Sequence, residues 1–228
     1  MASRPIFVVD VERSLVSERS IQFTWSPGMA ASQKRKNIEA LHNAARAAGI
    51  DRLLEVSTKS PDPLGVALSA FNLQMQVVGG RRVTLECVYQ ASKVFARGGP
   101  YSDLIGFEPR DARRDPRLGL SGALIGFEYD DQRYPNDPPS AYYDWIYFQA
   151  LSDNPTLFER LCRFRAFSDI EFNPKRSISS QARSCAIAVG LRLGGLSVST
   201  STSFASFCAS AGKLRQQRES VDNQLPGV

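Results

Sequence analysis

One stretch, residues 84–95, constrains this 228-residue chain more than any other. Its order, Thr84-Leu85-Glu86-Cys87-Val88-Tyr89-Gln90-Ala91-Ser92-Lys93-Val94-Phe95, reads as a helix that follows Gly79-Gly80 and stops near Arg97, at Gly98-Gly99-Pro100. Helical periodicity puts Glu86, Gln90 and Lys93 at i, i+4 and i+7 on one face, with Leu85, Val88, Ser92 and Phe95 turned away to pack. A carboxyl, an amide and an ammonium then stack along one rigid element. Such a trio can donate a proton, orient a sugar hydroxyl and hold an anion or a carbonyl. A solvated helix face presents the same stripe, so the spacing by itself leaves both readings open.

Composition narrows the chemistry. His42 is the only histidine, and Cys87, Cys162, Cys185 and Cys208 are widely spaced with no CxxC pair. A His-ligated metal site and a Ser-His-Asp triad are therefore disfavoured, and no metal or cofactor is expected. Acid–base work falls to carboxyls, lysine or tyrosine. The cysteines read as packed cytosolic thiols rather than disulfides. At 43% apolar residues the chain can bury a real core, and no apolar run is long enough to span a membrane. Met1-Ala2-Ser3-Arg4-Pro5 lacks the apolar stretch of a secretory signal, so a cytoplasmic location is expected. The net charge of +5 is a mild bias towards anionic partners, without the dense basic stripe of a dedicated DNA-binding module.

The pattern along the chain predicts an α+β fold, mainly α with a small β portion, in one domain over residues 1–196. Residues 197–228 read as a Ser-rich and polar extension, peripheral or partly disordered. Short strands are expected within 5–24, at 53–57, within 68–78 and at 124–129. Helices are expected at 33–48 (capped by Ser32), around 110–118, at 142–151 (capped by Ser140), from Pro155, and at 181–193 (capped by Ser179). The segments 58–63 and 167–175 read as loops.

Several of these stretches resemble the NADAR superfamily of YbiA-like proteins. Ser69-Ala70-Phe71-Asn72, Glu86…Tyr89-Gln90-Ala91…Lys93-Val94-Phe95, Gln149-Ala150-Leu151…Asn154-Pro155 and Gln181-Ala182-Arg183 carry the likeness. Trp25-Ser26-Pro27-Gly28, Gln33-Lys34-Arg35-Lys36-Asn37, Ser57-Thr58-Lys59-Ser60, Tyr143-Asp144-Trp145 and Phe172-Asn173-Pro174-Lys175 are similar to one subgroup, the NADAR proteins encoded beside DarT-type DNA ADP-ribosylating toxins. The likeness spans roughly residues 5–195. Ala70 stands where the family has an asparagine, with Asn72 two places on, and the family's downstream tryptophan is matched by Tyr134 or Trp145.

The resemblance implies a single NADAR domain and an antitoxin paired with a DarT-type toxin. It further implies a hydrolase that strips ADP-ribose from guanine bases of DNA, with ADP-ribose as product. Such a reaction stabilises an oxocarbenium-like ribose and protonates a poor nitrogen leaving group. An acid enclosed by apolar walls suits the second task, and Glu86, beside Leu85, Val88 and Tyr89, is the candidate. Lys93 is either an electrostatic partner or an amine that forms a Schiff base at ribose C1. Asp169 or Glu171 can orient water or bind a ribose hydroxyl. Trp25 either stacks adenine or seals the core. Lys36 and Lys59 suit phosphates, as well as plain solvated turns. Asn72, Gln90 and Asn173 can read hydroxyls or the base edge. Arg183 binds phosphate or pairs with Asp169, and Trp145 belongs to an aromatic stripe that suits a core as well as a ligand. Two alternatives remain at this point. One is a module that binds ADP-ribose or nucleic acid without catalysis; the other is a YbiA-like N-glycosidase acting on a phosphoribosyl intermediate of the riboflavin route.

Overall fold

The alternating N-terminal segment forms a hairpin. β1 (Ala2–Asp10) and β2 (Leu15–Phe23) pair antiparallel from Ala2 opposite Phe23 to Asp10 opposite Leu15. The computed structural model describes residues 1–12, 15–28, 30–174, 177–195 and 202–211. Met29, Lys175 and most of the Ser-rich and polar extension, 196–201 and 212–228, lie outside the described residues. α1 (Ala31–Ala47) starts after Ala30, two residues before the expected cap, and buries Asn37, Ile38, Leu41 and Ala45. β3 (Leu53–Glu55) follows.

The next region departs from expectation. Asp62 caps α2 (Pro63–Ala67) by accepting the Leu64 N–H at 2.8 Å, with Pro63 at the first helical position. That Asp-Pro pair is a helix start, and it overrides the strand reading of the apolar run after it. Only β4 (Gln74–Gln76) is extended there, and it pairs with β5 (Arg82–Thr84). Gly65 in α2 is pressed against β3 so closely that a β-carbon would lie 1.9 Å from the Glu55 carbonyl oxygen. No other residue fits at that contact.

α3 (Leu85–Ala91) carries Glu86 and Gln90 but stops well short of Arg97. The chain passes through Ser92 directly into β6 (Lys93–Phe95). The Ser92 carbonyl, which a longer helix would have used internally, instead accepts the Glu128 N–H at 2.7 Å. After a 3-10 turn at Ser102–Gly106, the single helix expected around 110–118 is two. α4 (Pro109–Arg114) and α5 (Pro116–Leu120) are separated at Asp115-Pro116, where Asp115 caps the second by accepting the Arg117 N–H at 2.9 Å.

β7 (Leu124–Tyr129) pairs with β6 and with β8 (Gln132–Pro135). α6 (Ala141–Ser152) is buried from Tyr142 to Leu151 and forms the central helix. α7 (Pro155–Leu161), β9 (Ala166–Ser168) and α8 (Gln181–Leu193) complete the order. β9 lies between β1, antiparallel, and β3, parallel, in a four-stranded sheet ordered β2-β1-β9-β3. α8 packs on this sheet and on α6, and α6 packs on α3. The mixed α+β fold expected from the sequence is the one observed. Residues 204–211 are helical, and Phe207, 2% exposed, meets Phe148 at 5.6 Å between ring centroids. The core therefore extends into a segment whose composition had suggested a periphery. The four cysteines are free thiols, and among the described residues no helix is long and apolar enough to cross a membrane.

Candidate active site

Glu86, Gln90 and Lys93 meet, although a helix holds only the first two. Gln90 bridges the others: its Nε2 donates to Glu86 Oε1 at 2.7 Å, and its Oε1 accepts from Lys93 Nζ at 2.7 Å. A carboxyl and an amine on either side fix this amide's orientation, because the reverse flip would set NH2 against the ammonium. Glu86 is 4% exposed, and Gln90 is buried beside it. Lys93 is half-buried, with Nζ 4.4 Å from the centroid of the Tyr89 ring. Burial lowers the Lys93 amine to about 8, helped by Arg113 and opposed by the Glu86 charge.

Aromatic rings wall the trio. Tyr89 stacks on Phe127 at 5.7 Å and meets Tyr143 edge-on at 4.8 Å. The Tyr143 hydroxyl is pushed well above its ordinary range, by burial first and then by the charges of Glu86, Tyr89, Asp169 and Asp144. The charges of Glu86, Asp169 and Asp144 thus all act on one tyrosine. Arg113, from α4, closes the remaining side. Its Nη1 lies 4.0 Å from Glu86 Oε1 and its guanidinium 5.5 Å from the Phe71 ring, while its side chain stays 60% exposed. Sequence reading missed Arg113, since the irregular stretch around it gave no periodic signal.

Asp169 is buried, and its Oδ1 accepts the Glu171 and Phe172 N–H groups at 2.9 and 3.2 Å. Burial raises its carboxyl, and so does the neighbouring Glu55 charge. Glu55 is itself raised by burial, and accepts the Ile170 N–H at 2.8 Å and the Ser168 hydroxyl at 2.5 Å. Ser168 gives its proton to Glu55, so the His42 Nε2, 2.9 Å away, must be the donor to Ser168 Oγ. Burial, then Arg46, lowers the imidazole to about 4, so His42 is a neutral packed ring.

Gln181, at the start of α8, ties the site's loops together. Its Oε1 accepts the Ala70 N–H at 2.9 Å, and its Nε2 donates to the Val56 carbonyl at 2.7 Å and to Asp169 Oδ2 at 3.0 Å. The Ala70 carbonyl in turn accepts the Glu86 N–H at 3.0 Å. One amide therefore sets the segment before α3, the turn after β3 and the acidic loop. Gln181→Ala is expected to cost roughly 2–4 kcal/mol, from three bonds of about 1 kcal/mol each with partners left unpaired. That corresponds to a melting temperature lower by roughly 4–16 °C for a domain of this size. A thermal melt within about 2 °C of the parent would reject the clamp.

The other candidates lie apart from the trio to differing degrees. Trp25 packs edge-on against Phe23 at 6.0 Å, and Arg4 lies 5.3 Å over its ring. Arg4 also donates to the Ile170 carbonyl at 3.4 Å, next to the acidic loop. Glu171 is exposed and pairs with Lys34 at 3.7 Å, while Lys36 is exposed and Lys59 half-buried. Asn72 donates to the Val66 carbonyl at 2.8 Å, closing the turn after α2. Tyr134 and Trp145 pack together at 5.0 Å, each against Tyr142 and Phe204, and Trp145 Nε1 donates to the Thr202 carbonyl at 3.0 Å. The Asn173 carbonyl accepts the Ser177 N–H at 3.1 Å.

Of the two roles open to Arg183, pairing with Asp169 is not the one observed: Arg183 pairs with the buried Asp144, one turn into α6, and donates to Ser140 Oγ at 2.7 Å. Asp169 is already saturated by backbone N–H groups and Gln181. Arg183 and Asp144 line a cleft of about 260 Å³ with Phe7, Leu15, Glu18 and Phe207. A second cleft, of about 470 Å³, lies on the opposite side of α3, against Val88, Ala91 and Ser92. Neither is lined by Glu86 or Lys93.

Comparison with known proteins adds one finding. Residues 2–221 match a family described as DarT1-associated NADAR antitoxins. No curated protein matches the chain.

Proposed function

This chain belongs to the family of DarT1-associated NADAR antitoxins, and from that membership we propose that it acts as a hydrolase, releasing ADP-ribose from guanine bases of DNA modified by its cognate toxin. The bond cut joins ribose C1 to the base amine. The Glu86–Gln90–Lys93 chain, with its amine lowered to about 8, carries this reading. A protein that only binds ADP-ribose needs neither a proton donor nor an amine able to lose its charge.

The proposed reaction divides between the two ends of that chain. The C1–O4 bond of the ribose breaks as the proton of the attached base amine passes to O4, which leaves a C1=N double bond to guanine. The neutral Lys93 amine adds across that bond, one of its protons passing to the base nitrogen; Glu86 then gives the same nitrogen a second proton, the C1–N bond to guanine breaks, and C1 is left as the protonated imine of Lys93. Water then adds at C1, the lysine nitrogen leaves, and Glu86 regains its proton. Gln90 keeps the two groups in register, and Asp169 orders the loop that faces the sugar. The wall of Tyr89, Phe127 and Tyr143 keeps the site apolar enough for an uncharged amine.

The direct test is release of ADP-ribose from guanine-modified DNA by purified protein, with a chelator present. Free ADP-ribose and unmodified guanine should appear together by chromatography. Intact adduct after prolonged incubation would overturn the proposal.

A further inference from the structure

We propose that the arginine face of α4 is the surface on which the nucleic-acid strand bearing the adduct lies, with Arg110 and Arg114 holding its phosphates outside the site. This rests on the function proposed above and deepens it, by assigning the part of the substrate that is not ADP-ribose.

Four observations converge on α4. First, it packs directly on α3, and its Arg113 reaches Glu86, so this helix borders the site. Second, Arg110, Arg113 and Arg114 stand at i, i+3 and i+4, which gathers them on one side of the helix while Ala112 is buried on the other. Third, the arginines of this stretch are not equivalent. Arg117 is held by Asp103 at 2.7 Å and Asp115 at 2.8 Å, whereas among the described residues Arg110 and Arg114 are exposed and form no ion pair. Fourth, Phe107 stands 44% exposed at the entrance to α4, its carbonyl accepting from the Cys87 thiol next to Glu86.

An exposed ring at the start of a helix that carries unpaired guanidinium groups suits the stacking of a base and the neutralisation of flanking phosphates in a single strand. Arginines spread along a helix face match phosphates repeated along a strand. The acidic residues nearby do not cancel the face. Glu108 is the N-cap and Asp111 lies in the first turn, where the helix dipole favours them; Asp111 is the i−3 neighbour of Arg114, but among the described residues the two form no ion pair.

The test uses the double variant Arg110→Ser, Arg114→Ser and two substrates: a modified single-stranded oligonucleotide and the single ADP-ribosylated guanosine nucleoside. The variant should cleave the nucleoside within about twofold of the parent, with an unchanged melting temperature. Its affinity for the unmodified oligonucleotide should fall roughly tenfold at low salt. The slope of log affinity against log salt should flatten by about 1.4, because two phosphates of a single strand are no longer neutralised by the protein. Equal salt slopes for parent and variant, or equal loss on nucleoside and oligonucleotide, would overturn the assignment. So would retained oligonucleotide binding together with lost binding of the toxin protein. If the parent cleaves neither substrate, the hydrolase reading fails, while the oligonucleotide-binding arm still decides the surface.

Discussion

Glu86→Gln should leave a folded protein that binds ADP-ribose and has lost its release from DNA by a factor of about 10²–10⁴, the usual contribution of a positioned acid. The substitution keeps the shape of the side chain, and its new carbonyl can still accept from Gln90 Nε2, as Glu86 Oε1 does at 2.7 Å. Binding measured by calorimetry should therefore change little. The variant also separates two roles. The Glu86 charge raises the Lys93 amine, against the lowering effect of burial and Arg113. Removing that charge would make the amine easier to deprotonate. If Glu86 served only to tune Lys93, the variant would form the lysine adduct more readily and turn over at least as fast. Loss of release with adduct formation preserved identifies Glu86 as the proton donor; normal release would exclude it.

Lys93 is expected to be trapped. Incubation with ADP-ribose, whose C1 equilibrates with an aldehyde, and a mild borohydride should convert the imine at Lys93 to a stable secondary amine, seen as a mass increase on the peptide containing residue 93. With the amine lowered to about 8, roughly one molecule in ten carries it uncharged at pH 7. An ordinary lysine near 10.5 would offer about one in three thousand. Trapping should therefore rise from pH 6.5 through 8 and level off above it, because the form that adds to C1 is the one that has lost its proton. An ammonium acting by charge alone predicts no adduct at any pH. Lys93→Arg, which keeps the charge and cannot form an imine, should abolish both trapping and release. Release by that variant at more than a tenth of the parent rate would rule out the covalent route.

Much of the fold was legible because its signals were local. Asn154-Pro155 announced α7, Ser140 and the aromatic run after it announced α6, and the alternation near Ile6 and Phe23 announced strands, though not their pairing as a hairpin. What escaped was decided by partners distant in sequence. Nothing between Glu86 and Phe95 tells of the Glu128 N–H that takes the Ser92 carbonyl and ends α3. The trio was found for a reason only half correct: spacing of four placed Glu86 and Gln90 on one helix face, but Lys93 arrives from a strand. Arg113 and Gln181 were invisible as site residues. One reaches Glu86 across 27 positions of chain and the other joins loops more than a hundred residues away. Asn72 and Arg183 show the converse, polar residues whose nearest obligations are to a local carbonyl and to Asp144.

The junction at Ser92 has a consequence for any relative of this chain. The proton donor rides on a helix, where side chains advance by about 100° per residue, and the amine on a strand, where they alternate from face to face. One extra residue between Ala91 and Lys93 would turn the amine to the other face of the strand, away from Gln90. Such a protein would keep every reactive group, and a roster of its residues would look intact, yet it could hold ADP-ribose without cutting it. Spacing across a change of backbone type, rather than residue identity, is then what separates an eraser of the mark from a mere reader.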